Sequence, residues 1–136
     1  MNNQTKSETI LLIEDNKNIL DNLTEYFEMA DYNIISANNG KEGIYLAETF
    51  LPDLIICDAL MIPMDGYEVL KVLLNTAKTA SIPFIFSTSM SETVDRSTAL
   101  KLGADDYIIK PFEPEALLTM AKKWLNKANK KSDLVS

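Results

Sequence analysis

Short apolar runs recur five times along the chain, and each is followed by a stretch in which apolar residues repeat with helical spacing. Such runs are typical of strands, and the stretches after them are typical of helices that pack on a sheet. The runs cover residues 10–13, 32–37, 54–57, 82–86 and 107–109. Apolar residues share one helical face after the first run and after the last: Leu20, Leu23, Phe27 and Ala30, then Leu117, Ala121, Trp124 and Ala128. The pattern predicts five consecutive strand–helix units.

Turn and cap residues fall between these predicted elements. Asn39 precedes Gly40 at the second helix, Asp65 precedes Gly66 at the third, and Gly103 ends the fourth. Pro114 suits the first turn of the fifth helix, and Ser89 with Glu92 matches a capping box for the fourth. Strands that alternate with helices form a parallel sheet covered on both faces, because right-handed crossovers place a helix between successive strands.

The composition of the runs predicts the order of the strands. The first, third and fourth runs are continuously apolar, as in strands buried on both faces, whereas the second and fifth are mixed or short, as at sheet edges. We therefore predict a doubly wound α/β fold of the flavodoxin-like type, with strand order 2-1-3-4-5. In such a sheet the functional crevice lies beyond the carboxyl ends of the strands.

Length and composition limit the class of protein. The 136 residues suit one domain, which we place at 8–129, with flexible segments at 1–7 and 130–136 and no attached output domain. No apolar run is long enough to span a membrane, and residues 1–6 lack the apolar core of a signal peptide. Cys57 is the single cysteine, which is compatible with a buried, inert thiol in a reducing compartment. We expect a cytoplasmic protein.

Charge excludes further classes. The formal net charge is −7, which disfavours direct contact with a nucleic-acid backbone. The chain has no histidine, so a histidine base, a histidine metal site and a phosphohistidine within the chain are all excluded. Proton chemistry must therefore use carboxylates, lysine, tyrosine or water.

Polar residues stand directly after four of the five predicted strands. Glu14 and Asp15 follow the first, Asp58 the third, Thr88 the fourth and Lys110 the fifth. A parallel sheet brings these ends together, so three carboxylates, a hydroxyl and an ammonium are expected to converge. Clustered carboxylates raise one another's pKa unless a cation joins them. A hard divalent ion such as Mg²⁺, with Mn²⁺ as a substitute, suits this set of ligands.

These motifs, taken in order, resemble the receiver domains of two-component response regulators, and the resemblance spans about residues 9–127. It rests on the segments 12–16 (LIEDN), 54–58 (LIICD), 64–66 (MDG) with Met61, 82–83 (IP) leading to Thr88, and 103–112 (GADDYIIKPF). The chemotaxis regulator of this family is a known example of the 2-1-3-4-5 order. The resemblance also implies a cis bond before Pro111.

The resemblance implies a role for each residue at the strand ends. Asp58 is the expected phosphoacceptor, and Glu14, Asp15, Asp58 and the backbone carbonyl of Leu60 are the expected ligands of Mg²⁺. Thr88 and Lys110 are expected to contact the phosphoryl group, and the Tyr107 ring to rotate toward the space that Thr88 vacates. Residues 60, 89 and 90 are expected to tune the access of water to the phosphoryl group: Leu60, Ser89 and Met90. Because Leu60 and Met90 are bulky and apolar, we expect slow autodephosphorylation.

Three positions depart from the common pattern of the family. Glu14 stands where many relatives have aspartate, and its longer side chain is expected to reach a metal through water. Pro63 lies five residues after Asp58 rather than four, which predicts a different loop path. Gly43 replaces a better helix former and should weaken the second helix slightly.

The expected partners also follow from the resemblance. A sensor histidine kinase or a histidine phosphotransfer protein supplies the phosphoryl group. A downstream protein binds the face formed by the fourth helix, fifth strand and fifth helix, and the chain is a monomer or weak homodimer. A chemotaxis-like effector and a phosphate carrier within a relay both remain open. The alternative is a receiver-like module that binds proteins without taking phosphate; a flavin carrier of the same topology is disfavoured because Glu14 and Asp15 would repel the phosphate of a flavin cofactor.

Overall fold

The computed structural model describes residues 7–89 and 96–135, which form five strand–helix units. The strands are β1 (Thr9–Ile13), β2 (Asn33–Ala37), β3 (Leu54–Asp58), β4 (Phe84–Ser89) and β5 (Asp106–Lys110). The helices are α1 (Lys17–Met29), α2 (Gly40–Phe50), α3 (Gly66–Leu74), α4 (Arg96–Lys101) and α5 (Pro114–Val135). The alternation read from the hydrophobic pattern is therefore confirmed.

All five strands pair in parallel, in the order β2-β1-β3-β4-β5. The predicted fold class and strand order are confirmed, with β2 and β5 at the edges. Every residue of β3 is buried, whereas β2 and β5 carry partly exposed residues. The order reverses between β1 and β3, so the crevice predicted at this switch point opens where these two strands end.

Side chains of successive strand residues alternate between two cores, one on each face of the sheet. Leu11 and Ile13 of β1 point to the first core, which packs under α2, α3 and α4. Ile10 and Leu12 point to the second, which packs under α1 and α5. Most of the helical residues predicted to share a buried face are found there, namely Leu20, Leu23, Phe27, Leu117 and Ala121, and Trp124 packs half-buried against them. Ala30 and Ala128 are only partly buried and do not belong to this core.

Local sequence signals begin and end the helices, at Asn39, Asp65 and Gly103 as predicted and at Asn16 in addition. The side chains of Asn16, Asn39 and Asp65 accept hydrogen bonds from backbone N–H groups of the first turns of α1, α2 and α3, and Asp65 forms a full capping box with Glu68. Gly103 follows α4 with φ +110°, a conformation that favours glycine. The capping box expected between Ser89 and Glu92 is not seen, because Glu92 lies outside the described residues.

Three expectations about the elements need correction. The fourth strand begins at Phe84 rather than at residue 82, because the chain through Pro83 still belongs to the turn after α3, and it continues to Ser89. Backbone of α5 stays helical to Val135, past residue 129, where we expected a flexible tail. The expectation for Gly43 is incomplete, because a Cβ there would lie 2.5 Å from Cδ1 of Ile13, so packing also favours a residue without a side chain at this position.

No helix within residues 7–89 and 96–135 combines the length and the apolar character needed to cross a membrane.

Candidate phosphoacceptor site

The carboxyl ends of four strands bring the predicted site residues together. Glu14 and Asp15 follow β1, Asp58 is the last residue of β3, Thr88 lies near the end of β4, and Lys110 ends β5. The strands hold these residues rigidly, because Asp58 is paired with Ser87 in the sheet and the backbone N–H of Glu14 donates to the carbonyl of Ala37 at 3.0 Å.

An ammonium group bridges two of the carboxylates. Nζ of Lys110 lies 3.0 Å from Oε1 of Glu14 and 3.3 Å from Oδ2 of Asp58. Both carboxylates are buried, and Lys110 is largely shielded as well. Little solvent screens these charges, so the contacts are stronger than a surface ion pair.

The donor set fits a hard divalent cation. One carboxylate oxygen from each of Glu14, Asp15 and Asp58 lies within 4.8 Å of the others, and Asp15 is exposed to solvent while the other two are buried. Carboxylate oxygens with room for retained water on the open side are the ligands that Mg²⁺ prefers. This cluster therefore provides the ligands for such an ion.

The pKa values reflect the crowding of negative charge. Burial, followed by the charge of Glu14, raises the pKa of Asp58 to about 7, although Lys110 and a backbone hydrogen bond from Leu60 oppose the rise. Burial and the neighbouring Glu14 also raise the pKa of Asp15. Burial disfavours the charged form of Lys110, but its contacts with Glu14 and Asp58 outweigh this effect and raise its pKa. A second cation would therefore favour ionised Asp58 at neutral pH.

The loop after β3 folds back against the end of that strand. Ala59 donates its N–H to the carbonyl of Ser87 at 2.8 Å, and Gly66 donates to the carbonyl of Ala59 at 2.9 Å. Met61 is buried in the first core, as the sequence predicts for a loop-packing residue. Pro63, which lies five residues after Asp58, follows a cis Ile62–Pro63 bond in this loop. The cis Lys110–Pro111 bond that the family resemblance implied is present as well.

The predicted switch residues lie on one face of the sheet. Thr88 is buried and is two residues beyond Phe86, so the two side chains leave β4 on the same side. Tyr107, which is paired with Phe86, is half-buried against the first core on that side. Ser89 is partly buried beside Lys110, whereas the side chain of Leu60 is 57% exposed. Met90 lies outside the described residues.

The sequence analysis missed a polar link between β5 and α5. The carboxylate of Asp106 is buried and accepts a hydrogen bond of 2.8 Å from Nε1 of Trp124, and its other oxygen accepts one from the N–H of Tyr107. Lys123 approaches the same carboxylate at 3.9 Å, and Lys127 lies 4.5 Å from the centre of the Trp124 ring. The only sequence signal was a tryptophan on the apolar face of α5, which by itself predicts packing alone.

The structure is a doubly wound α/β domain with three clustered carboxylates and a paired lysine at its switch point. The family model of the response regulator receiver domain matches residues 10–122. The chain therefore belongs to the response regulator receiver family of two-component signalling. Receiver domains are signalling switches rather than conventional enzymes, and they interact with histidine kinases or phosphotransfer proteins.

Curated relatives are longer than this chain. It is 35% identical over 127 residues to the "Probable transcriptional regulator ycf27" of Porphyra purpurea, covering 93% of this chain and 51% of the relative. It is 35% identical over 119 residues to the "Alkaline phosphatase synthesis transcriptional regulatory protein PhoP" of Bacillus subtilis (strain 168), covering 88% and 49%. The chain thus spans about half the length of these relatives.

Solved structures share the whole fold. A CheY-like response regulator receiver domain protein from Methanospirillum hungatei JF-1 superposes with a TM-score of 0.85 at 27% identity, covering 93% of this chain and 99% of that one. The signal receiver domain of a signal transduction histidine kinase from Syntrophus aciditrophicus gives a TM-score of 0.81 at 33% identity, covering 89% and 92%.

Proposed function

We propose that the chain is a phosphorylation-activated switch in which Asp58 accepts a phosphoryl group from a phosphohistidine of a sensor kinase or phosphotransfer protein. The observation that carries the proposal is the contact of Lys110 with Asp58 at 3.3 Å, beside two further carboxylates in metal-binding range. A lone buried carboxylate would be a poor nucleophile and a poor site for added negative charge. A carboxylate next to a fixed ammonium and a cation site meets both requirements.

The chain's own residues supply positioning and charge. An Asp58 carboxylate oxygen attacks phosphorus in line, forming the acyl phosphate bond as the bond from phosphorus to the donor nitrogen breaks. Lys110 neutralises a phosphoryl oxygen, and the hydroxyl of Thr88 donates to another. Glu14, Asp15, Asp58 and the carbonyl of Leu60 would hold Mg²⁺, which stabilises the negative charge of the transferring group when bound. Hydrolysis of the acyl phosphate resets the switch.

Thr88 and Tyr107 transmit the phosphorylation of Asp58 to the surface that binds a downstream protein. Inward movement of Thr88 opens space for the Tyr107 ring, and the change reaches the face formed by α4, β5 and α5, where a downstream protein binds. The phosphoryl group biases two pre-existing states through new contacts. The described domain acts by protein contact, as a monomer or weak homodimer in the cytoplasm, and its net charge of −7 disfavours direct contact with DNA.

Mass spectrometry of the intact protein tests this function. Incubation with Mg²⁺ and acetyl phosphate is expected to add one phosphoryl group, about 80 Da, to the wild type and none to Asp58→Asn, because the amide is not nucleophilic. The exposed Asp53 offers a control, since Asp53→Asn lies at the opposite end of β3 and should be phosphorylated normally. No mass gain in a folded wild type, with acetyl phosphate and with phosphorylated kinases alike, would instead support a module that binds partners without phosphate.

Leu60 is expected to slow the loss of the phosphoryl group. Leu60 lies two residues after Asp58 and its apolar side chain is 57% exposed, and we expect this side chain to hinder water that approaches the phosphoryl group. Leu60→Asn should raise the first-order dephosphorylation rate several-fold, and a tenfold rise corresponds to about 1.4 kcal/mol in the barrier. Loss of the 80 Da increment over time measures the rate. Ile62→Asn, in the same loop and 87% exposed, is the control, and equal rates in all three proteins would contradict a role for Leu60.

A further inference from the structure

The outer edge of β2 takes no part in the candidate site. β2 lies at one end of the sheet, and its single neighbour there is β1. We propose that this edge binds the same edge of a second copy of the chain, so that two antiparallel β2 strands join the two sheets. The inference goes beyond the proposed function, because it involves none of the site residues and needs no phosphoryl group.

The hydrogen bonds between β1 and β2 show which backbone groups of β2 point outward. Asn33 donates its N–H to the carbonyl of Glu8 at 3.0 Å, on the side of β1. Successive residues of a strand turn their backbone groups to opposite sides, so the N–H and carbonyl groups of Ile34 and Ser36 point away from the sheet. No residue that the structure describes hydrogen-bonds to these outward groups. The edge therefore offers donors and acceptors to another strand.

The edge of β2 lacks the features that normally prevent strands from pairing. Charged side chains and proline blunt most exposed edges of sheets. Residues 32–38 (YNIISAN) contain neither, although 24% of the chain is charged. The strand at the other end of the sheet, β5, contains Asp106 and Lys110 and is followed by Pro111. Of the two edges, β2 is therefore the one that is open to pairing.

The pattern of outward groups suits a second copy of the same strand. Residues that face each other in an antiparallel pair can exchange both of their hydrogen bonds. When Ile35 lies opposite Ile35 of the second copy, Ile34 lies opposite Ser36, and both equivalent pairs can form these bonds. The two Ile35 side chains then lie on one face, about 5 Å apart, where paired β-branched residues stabilise a sheet. In this register Asp31 lies opposite Asn39, so no like charges face each other.

The dimer is expected to be weak. The strand has five residues, and each copy carries a net charge of −7, so the two copies repel each other. An uncharged edge is the place where this repulsion opposes contact least. Small interfaces give weak complexes, so we expect a dissociation constant of about 100 µM. Added salt should strengthen the dimer, because it screens the repulsion.

Amide hydrogen exchange of the unphosphorylated protein, followed by nuclear magnetic resonance, tests the contact. In dilute protein the N–H groups of Ile34 and Ser36 should exchange fast, whereas that of Ile35, which faces β1, should exchange slowly. At a concentration where about 90% of the chains are dimeric, exchange at Ile34 and Ser36 should be about tenfold slower. Slow exchange already in dilute protein overturns the proposal, because the chain then covers its own edge. A dimer in which both amides still exchange fast overturns it too, because another surface then joins the copies.

Sedimentation equilibrium of variants tests the role of the uncharged edge. Ser36 is exposed, so Ser36→Lys should leave the fold intact, which thermal unfolding can verify. It should raise the dissociation constant at least about tenfold. This weakening is expected even though the lysine lowers the net negative charge of each copy. Ser36→Thr, which adds no charge, is the matched control and should dimerise like the wild type. A wild type that stays monomeric at about 1 mM, or that dimerises no better than Ser36→Lys, overturns the proposal.

Discussion

Replacement of Lys110 by alanine is expected to lower the rate of phosphoryl uptake from acetyl phosphate by about 10²- to 10³-fold. The ammonium lies 3.3 Å from the carboxylate of Asp58, the proposed phosphoacceptor, and loss of one preorganised charge donor at a reacting centre typically lowers the rate by this factor. Lys110 also opposes the rise in the pKa of Asp58, which stands at about 7 with the lysine present. Without it, Asp58 ionises only at higher pH, so the pH profile of uptake should move upward.

The measurement is the initial rate of the 80 Da mass gain at a series of pH values and fixed Mg²⁺. Lys78→Ala is the matched control, because Lys78 is an exposed lysine between α3 and β4, at the opposite end of the sheet. It should leave both the rate and the pH profile unchanged. An uptake rate within threefold of the wild type in Lys110→Ala would contradict the assigned role of the lysine.

Substitution of Gly66 by alanine is expected to destabilise the domain by about 3 kcal/mol. A Cβ at this position would lie 2.3 Å from the backbone carbonyl oxygen of Asp58, far inside any real contact. Backbone cannot yield as a flexible side chain does, so α3 or the end of β3 must move. Urea unfolding followed by circular dichroism measures the change in free energy of unfolding, and phosphoryl uptake should fall as well because the displaced atoms belong to the phosphoacceptor.

Gly43→Ala is the comparison, since it adds the same methyl group to a buried position in a helix. Its Cβ would meet the tip of Ile13, a side chain that can shift, and alanine gains about 1 kcal/mol of helix propensity over glycine. The two effects largely offset each other, so a net change within about 1 kcal/mol is expected. If Gly66→Ala and Gly43→Ala lowered the free energy of unfolding equally, the close approach of position 66 to the carbonyl of Asp58 would not explain the destabilisation.

Sequence reasoning predicted the fold because the hydrophobic pattern and the topology depend on local signals. Each of these signals determines the structure of residues next to it in the sequence. This holds for the apolar runs, for the caps at Asn39 and Asp65, and for Gly103 after α4. The convergence of Glu14, Asp58 and Lys110 was predictable too, since a parallel sheet places all strand ends on one edge. Nothing beyond the order of the strands was needed to bring these residues together.

The features that escaped prediction depend on distances between segments that are remote in sequence. Gly43 resembles a weak helix residue until the position of Ile13 beneath it is known. The 3.0 Å contact between Glu14 and Lys110 joins residues 96 positions apart, and sequence reasoning did not predict which carboxylate the lysine would approach most closely. The bond from Trp124 to Asp106 likewise requires the packing of α5 on β5, which periodicity describes only as a buried face.

The hydrogen bond from Trp124 to Asp106 makes Trp124 an intrinsic fluorescent reporter of this part of the fold. The chain has a single tryptophan, so its tryptophan emission comes from one indole, which contacts the buried carboxylate of Asp106 and the ammonium of Lys127. Asp106 and Lys110 stand at opposite ends of β5, about 13 Å apart along an extended strand. The rate at which Trp124 emission changes on phosphorylation would therefore measure how fast the conformational change reaches the far end of β5. This rate can be compared with the rate of phosphoryl transfer itself.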